Sequence, residues 1–119
     1  MRDKKILQIL DEHCRKRFRD GAEEHGQFNP LTDKRNFLKM LKEELADGIN
    51  YSDMFIMIMI CQYFKKLGER EQEYIRTEIS LLKALLTECY KITYNLDKFV
   101  KYRIKRKEGQ NEEKELPQL

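Results

Sequence analysis

The sequence contains no tryptophan, and only two prolines and five glycines in 119 residues. It also lacks any run of β-branched residues bounded by turn signals, so a sheet has nothing to start from. Three cysteines, Cys14, Cys61 and Cys89, are odd in number and far apart. They form no CxxC pair and no metal-ligand spacing, which predicts reduced, mostly buried thiols in a cytoplasmic protein. No apolar stretch approaches the ~20 residues needed to span a bilayer; the densest run is Met54 to Cys61. The opening Met1-Arg2-Asp3-Lys4-Lys5 leads straight into an amphipathic pattern, without the apolar core of a signal peptide. A glycine-rich phosphate loop is missing, and no serine or cysteine is set with a histidine and an acid in a way that suggests a nucleophile triad.

What the sequence does have is charge, at 38% of residues, in near balance at a net +3. That balance gives no reason to expect general polyanion binding. The length suits one domain, with so little apolar surface that pairing with a second copy is the expected way to finish the core. We expect an all-α fold: a helical bundle of three main helices in a single domain over residues 1–107, completed by oligomerisation. A disordered polar tail is expected over 108–119.

Helical spacing is the dominant pattern. Leu7, Leu10, Cys14, Phe18 and Gly21 recur at steps of three and four and predict a first helix from about Asp3 to Ala22, fraying between Gly21 and Gly26. Gly26 to Thr32 reads as a loop, because Pro30 pushes Asn29 away from helical geometry. Thr32 or Asp33 can cap a second helix running from Asp33 to Lys66. Phe37, Leu38, Leu41, Leu45 and Ile49 form its apolar face. The stretch from Met54 to Cys61, apolar on all sides, should be surrounded by protein. Gly68 is placed to end this helix.

A third helix is expected from Glu69 to Lys107. Its seam of Ile75, Ile79, Leu82, Leu86, Cys89, Thr93, Leu96 and Val100 alternates steps of four and three. Leu81, Leu85, Ile92 and Phe99 add a second stripe. Such a helix would be ~57 Å long, so we expect it to lie across a partner subunit or along the other two helices. The basic stretch holding Lys98, Lys101, Arg103, Lys105, Arg106 and Lys107 fits a helix C-terminus, where cations are favourable. Nucleic-acid contact is the weaker account of it.

Chemistry concentrates in Lys42-Glu43-Glu44-Leu45-Ala46-Asp47-Gly48-Ile49-Asn50-Tyr51. Glu44 and Asp47 are three apart and Glu43 and Asp47 four apart, so all three carboxylates share one side of a helix. Such an edge suits Mg²⁺, which takes a few carboxylate oxygens and keeps positions for water and phosphate. The alternative is an ordinary solvated face offset by Lys42. Arg17, Arg19, Lys34 and Arg35 flank the loop and could grip phosphates, although solvated surface charge explains them more simply. His25 could be a base or a substrate contact, although a lone histidine beside a loop glycine is more often neither, and His13 within the first helix suits a packing or surface role.

The segment from Glu43 to Tyr51 resembles the ExxD-containing helix of the MazG-like, all-α nucleoside triphosphate pyrophosphohydrolases. Arg17 to Gly26 is similar to an element preceding that helix in phage and bacterial relatives, and the likeness covers about residues 15–66. The resemblance implies a hydrolase that cleaves a ribo- or deoxyribonucleoside triphosphate to the monophosphate and pyrophosphate, with Mg²⁺ as cofactor and a dimeric or tetrameric assembly. It makes Glu44 and Asp47 metal ligands, and Glu43 a ligand or the base for the attacking water. The family's other metal-binding helix carries E-E-x-x-E, which would fall to Glu23-Glu24; alternatively Glu43-Glu44-x-x-Asp47 is itself that element, which moves the ExxD into the stretch from Glu69 to Glu78. A different class of function is a non-catalytic helical module that forms a homodimer or binds a partner through its third helix.

Overall fold

The computed structural model describes residues 2–109, and the side chains of residues 2–107. The fold is all-α, with no strand among the described residues. Three helices, α1 (Arg2–His25), α2 (Phe37–Ile58) and α3 (Glu69–Gly109), follow one another along two compact units, Met1–Arg35 and Asn36–Leu119. The tail expected from Glu108 lies outside the described residues, apart from Glu108 and Gly109, which belong to α3.

In the first unit, α1 runs past the expected end at Ala22 to His25. It stops where Gly26 takes a φ of 86° and donates its N–H to the Ala22 carbonyl at 2.8 Å, a left-handed ending that glycine adopts without a Cβ clash. No α1 residue is buried, and Arg15–Asp11 and Lys16–Asp20 pair along its surface. The following turn is organised by Asn29. Its side chain accepts from Leu31 N–H at 3.0 Å, and its carbonyl from Thr32 and Asp33 N–H.

The second unit is a helical hairpin of α2 and α3. Asn36, rather than Thr32 or Asp33, caps α2, its side chain accepting from Lys39 N–H at 3.0 Å. Beyond Ile58 the chain widens into a π turn over Met59–Tyr63 and tightens into a 3-10 turn over Phe64–Lys66. Gly68 opens α3 instead of closing the preceding helix. Its N–H reaches the Glu71 carboxylate at 2.9 Å, and its carbonyl accepts from Gln72 N–H at 3.0 Å. That is one half of a capping box. The Gln72 amide also donates to the carbonyls of Phe64 and Leu67, closing the turn.

The hairpin seam is unusual in what it buries. On α2 it steps through Leu38, Lys42, Leu45, Ile49, Ser52, Ile56 and Met59, and on α3 through Ile75, Ile79, Lys83, Leu86, Thr93, Asp97 and Val100. Of the described residues, the buried ones are Phe64, Ser52, Thr93 and Asp97, so polar groups outnumber the one apolar residue. Ser52 and Thr93 satisfy their hydroxyls on the carbonyls of Gly48 and Cys89, one turn back. The single seam expected on α3 therefore divides in two. Ile75, Ile79, Leu86, Thr93 and Val100 turn towards α2, whereas Leu82, Cys89 and Leu96 stand exposed. Cys14 and Cys61 are exposed as well, contrary to the burial expected for the thiols. The run from Met54 to Cys61 leaves Met54, Phe55, Met57, Ile58 and Ile60 exposed rather than enclosed.

Candidate functional site

The acidic edge sits on the middle turns of α2, away from the hairpin seam. Glu43, Glu44 and Asp47 are all exposed. Helical spacing puts Glu44 and Asp47 in register with Met40, Tyr51, Met54 and Ile58, each of which is itself exposed. Among the described residues, no hydrogen bond or ion pair is recorded for the three carboxylates. Lys42, the cation beside them in sequence, does not offset them. Its ammonium points the other way, 3.0 Å from the Asp97 carboxylate of α3 and 5.2 Å from the centre of the Tyr94 ring.

Asp97 is the electrostatic centre of the hairpin. It is 3% exposed and lies between Lys42 at 3.0 Å and Lys101 at 3.2 Å. The hydrogen bond from Lys42, reinforced by Lys101, holds its carboxyl below the usual aspartate range against the opposing effect of burial. The same hydrogen bond raises the Lys42 ammonium. A second inter-helix pair, Lys83 with Asp53, crosses further along. Neither Asp97 nor Lys42 is legible as a buried pair from composition. The only signal was that each interrupts an apolar stripe at a seam position.

Arg17, Lys34 and Arg35 belong to the first unit and the acidic edge to the second. Arg35 is already engaged. Its guanidinium meets Asp33 at 2.6 Å and 3.1 Å, and its backbone N–H donates to the same carboxylate at 2.9 Å. These bonds, the side-chain one foremost, hold the Asp33 carboxyl down to about 2. Arg17 and Lys34 are exposed, as are His13 and His25, the latter 3.7 Å from Glu24.

No group of three or more histidine, cysteine, aspartate or glutamate side chains among the described residues is arranged to hold a metal ion. Within the second unit, the described glutamates of early α3 do not join the acidic edge in such a group. No described helix is long and apolar enough to cross a membrane.

The feature that does extend over a large surface is apolar. On α2, Met40, Leu41, Tyr51, Met54, Phe55 and Ile58 are exposed; on α3, Leu81, Leu82, Leu85, Ile92 and Leu96 are. Leu41 and Phe55 of α2, and Leu82, Leu85, Ile92 and Leu96 of α3, lie about a quarter-turn from their own seams in the same rotational sense, with Tyr51 and Ile58 about a third of a turn away and Met40, Met54 and Leu81 nearly opposite. Because the helices run antiparallel, the residues near a quarter-turn fall on the same side of the hairpin. Glu44 and Asp47 lie on the α2 border of that face. No protein-family model, curated protein or solved structure matches this chain.

Proposed function

We propose that this chain is a helical interaction module: it acts by offering one apolar face to other helices, not by turning over a substrate. The observation that carries this reading is the second apolar stripe of α3, Leu82, Leu85, Ile92 and Leu96, which stays uncovered although the hairpin seam takes in Ser52, Thr93 and Asp97. Burying apolar area is the main favourable term in both folding and association. A surface of this kind marks a contact for another protein. The exposed thiols suit a reducing, cytoplasmic setting for the module.

A second reading keeps the nucleoside triphosphate pyrophosphohydrolase. It is favoured by one specific observation: Lys42 is drawn to Asp97, so the three exposed carboxylates of the edge are not offset by the lysine beside them in sequence. In that reading Glu44 and Asp47 are Mg²⁺ ligands and Glu43 is a ligand or the base. Among the described residues no three such donors are arranged to hold a metal ion, whereas the apolar face is a feature of the hairpin itself, and this reading therefore ranks second.

The experiment that separates them is Mg²⁺-dependent pyrophosphate release from a panel of ribo- and deoxyribonucleoside triphosphates, with Asp47→Ala as control. No release is expected. Release that vanishes in the control would overturn the module and establish the enzyme.

A further inference from the structure

We infer that the occupant of the apolar face is a second copy of this chain, seated α3 against α3 in antiparallel orientation; this rests on the module reading and names its partner. On α3 the uncovered residues Leu82, Leu85, Cys89, Ile92 and Leu96, with half-buried Phe99 next, alternate steps of three and four. That is a heptad seam, which requires a facing helix to supply holes for its knobs. It contains no charged residue between Leu82 and Phe99 and is more apolar than the seam that α2 covers.

The charge pattern of α3 selects the occupant and its direction. Its first turns carry Glu69, Glu71, Glu73 and Glu78 against Arg70 and Arg76, a net negative end, whereas every charge from Lys98 to Lys107 is positive: Lys98, Lys101, Arg103, Lys105, Arg106 and Lys107. Two parallel copies would stack like charges at both ends. Antiparallel copies bring the acidic end of each against the basic end of the other, which is the complementarity that steers and orients association.

The register is also self-complementary. With the two-fold axis midway between Cys89 and Ile92, Leu82 layers with Phe99 of the second copy, Leu85 with Leu96, and Cys89 with Ile92. One step further, the same spacing reaches Glu78 at one end and Arg103 at the other, so the seam closes on a Glu78–Arg103 pair at each end. Two features of the single chain agree. Arg103 Nε is buried without an acceptor, its guanidinium resting 4.7 Å from the Phe99 ring centre. Glu78 has no recorded ion pair among the described residues. On the same side of the hairpin, Tyr51, Phe55 and Ile58 of α2 extend the contact, so two hairpins form a four-helix arrangement.

The test is sedimentation equilibrium of the full chain and its charge variants, with circular dichroism to confirm that helix is retained. The wild type is expected at twice the monomer mass. Glu78→Arg and Arg103→Glu should each raise the dissociation constant by about tenfold or more, and the double variant should recover most of that loss. Leu85→Asp with Ile92→Asp should abolish the dimer. A monomer at every concentration up to the solubility limit would overturn the inference. So would a dimer indifferent to these substitutions, or single charge variants that the double does not rescue. The pyrophosphate assay reports separately on the underlying reading, so the two failures remain distinguishable.

Discussion

At the scale of single residues, Asp97 decides how α2 and α3 hold together, because it is the one buried carboxylate among the described residues and two lysines pair with it. Substituting Asp97→Ala strands the Lys42 ammonium between the helices without a counter-charge. Breaking such a pair from one side is costly, whereas replacing both members with apolar groups is often neutral or better. Asp97→Ala should therefore lower the thermal midpoint more than Asp53→Ala, whose pair with Lys83 is half exposed. The double variant Lys42→Leu, Asp97→Leu should recover most of the loss; differential scanning calorimetry reads all three. The pH dependence has a fixed sign. Asp97 and Asp33 are both held below their unfolded values, so each contributes stability that is fully present above about pH 3.9. That contribution is lost as the pH falls through the folded value, which for Asp33 is about 2. An acid titration followed by circular dichroism should show the hairpin weakening below about pH 4, and Asp97→Asn should flatten that limb.

At the scale of elements, most of the secondary structure was legible because a 3.6-residue period is hard to imitate. The loop after α1 was legible from Asn29 and Pro30. The caps were less so. Asn36, Thr32 and Asp33 all have side chains able to cap, and only the path of the turn selects Asn36. Gly68 begins α3 where its place after a long helix suggests an ending, since a glycine between two helices serves equally well as either. It is the carboxylate of Glu71 that makes it a beginning. Glu71→Ala should cost about 1 kcal/mol in urea unfolding by leaving the Gly68 N–H unsatisfied. Gly48 lies mid-helix, where an added Cβ would meet Leu86 Cδ1 at 3.4 Å, ordinary contact. Gly48→Ala should therefore stabilise the hairpin by roughly 0.5–1 kcal/mol through helix propensity, measured in the same titration. The seam of α3 could not be assigned from sequence because two heptad stripes lie side by side. Positions such as Leu82 and Lys83 differ by one residue, and only the contact with α2 shows that Lys83 faces inward while Leu82 does not.

At the scale of the whole molecule, the candidate site was legible as a set of residues but not as a place. The spacing of Glu43, Glu44 and Asp47 put them on one edge. It could not tell that Lys42 would turn away towards Asp97, or that the edge would border an apolar face. In the proposed pair, assembly and folding are linked by mass action. The thermal midpoint should rise with protein concentration, and scanning calorimetry over a wide dilution series checks this; a midpoint independent of concentration counts against it.

The uncovered stripe of α3 also changes where sequence drift is tolerated. In most proteins surface positions accept substitution freely and buried ones do not. Here Ser52 and Thr93 lie inside with hydroxyls bonded only to their own helix, so alanine can replace either without orphaning a partner. Leu85 and Ile92, more than half exposed in the single chain, are the positions where a polar replacement removes the contact that completes the core of the proposed pair. A saturation scan read by soluble yield should thus place its least tolerant sites along the outer stripe of α3, on what a single-chain view would count as surface.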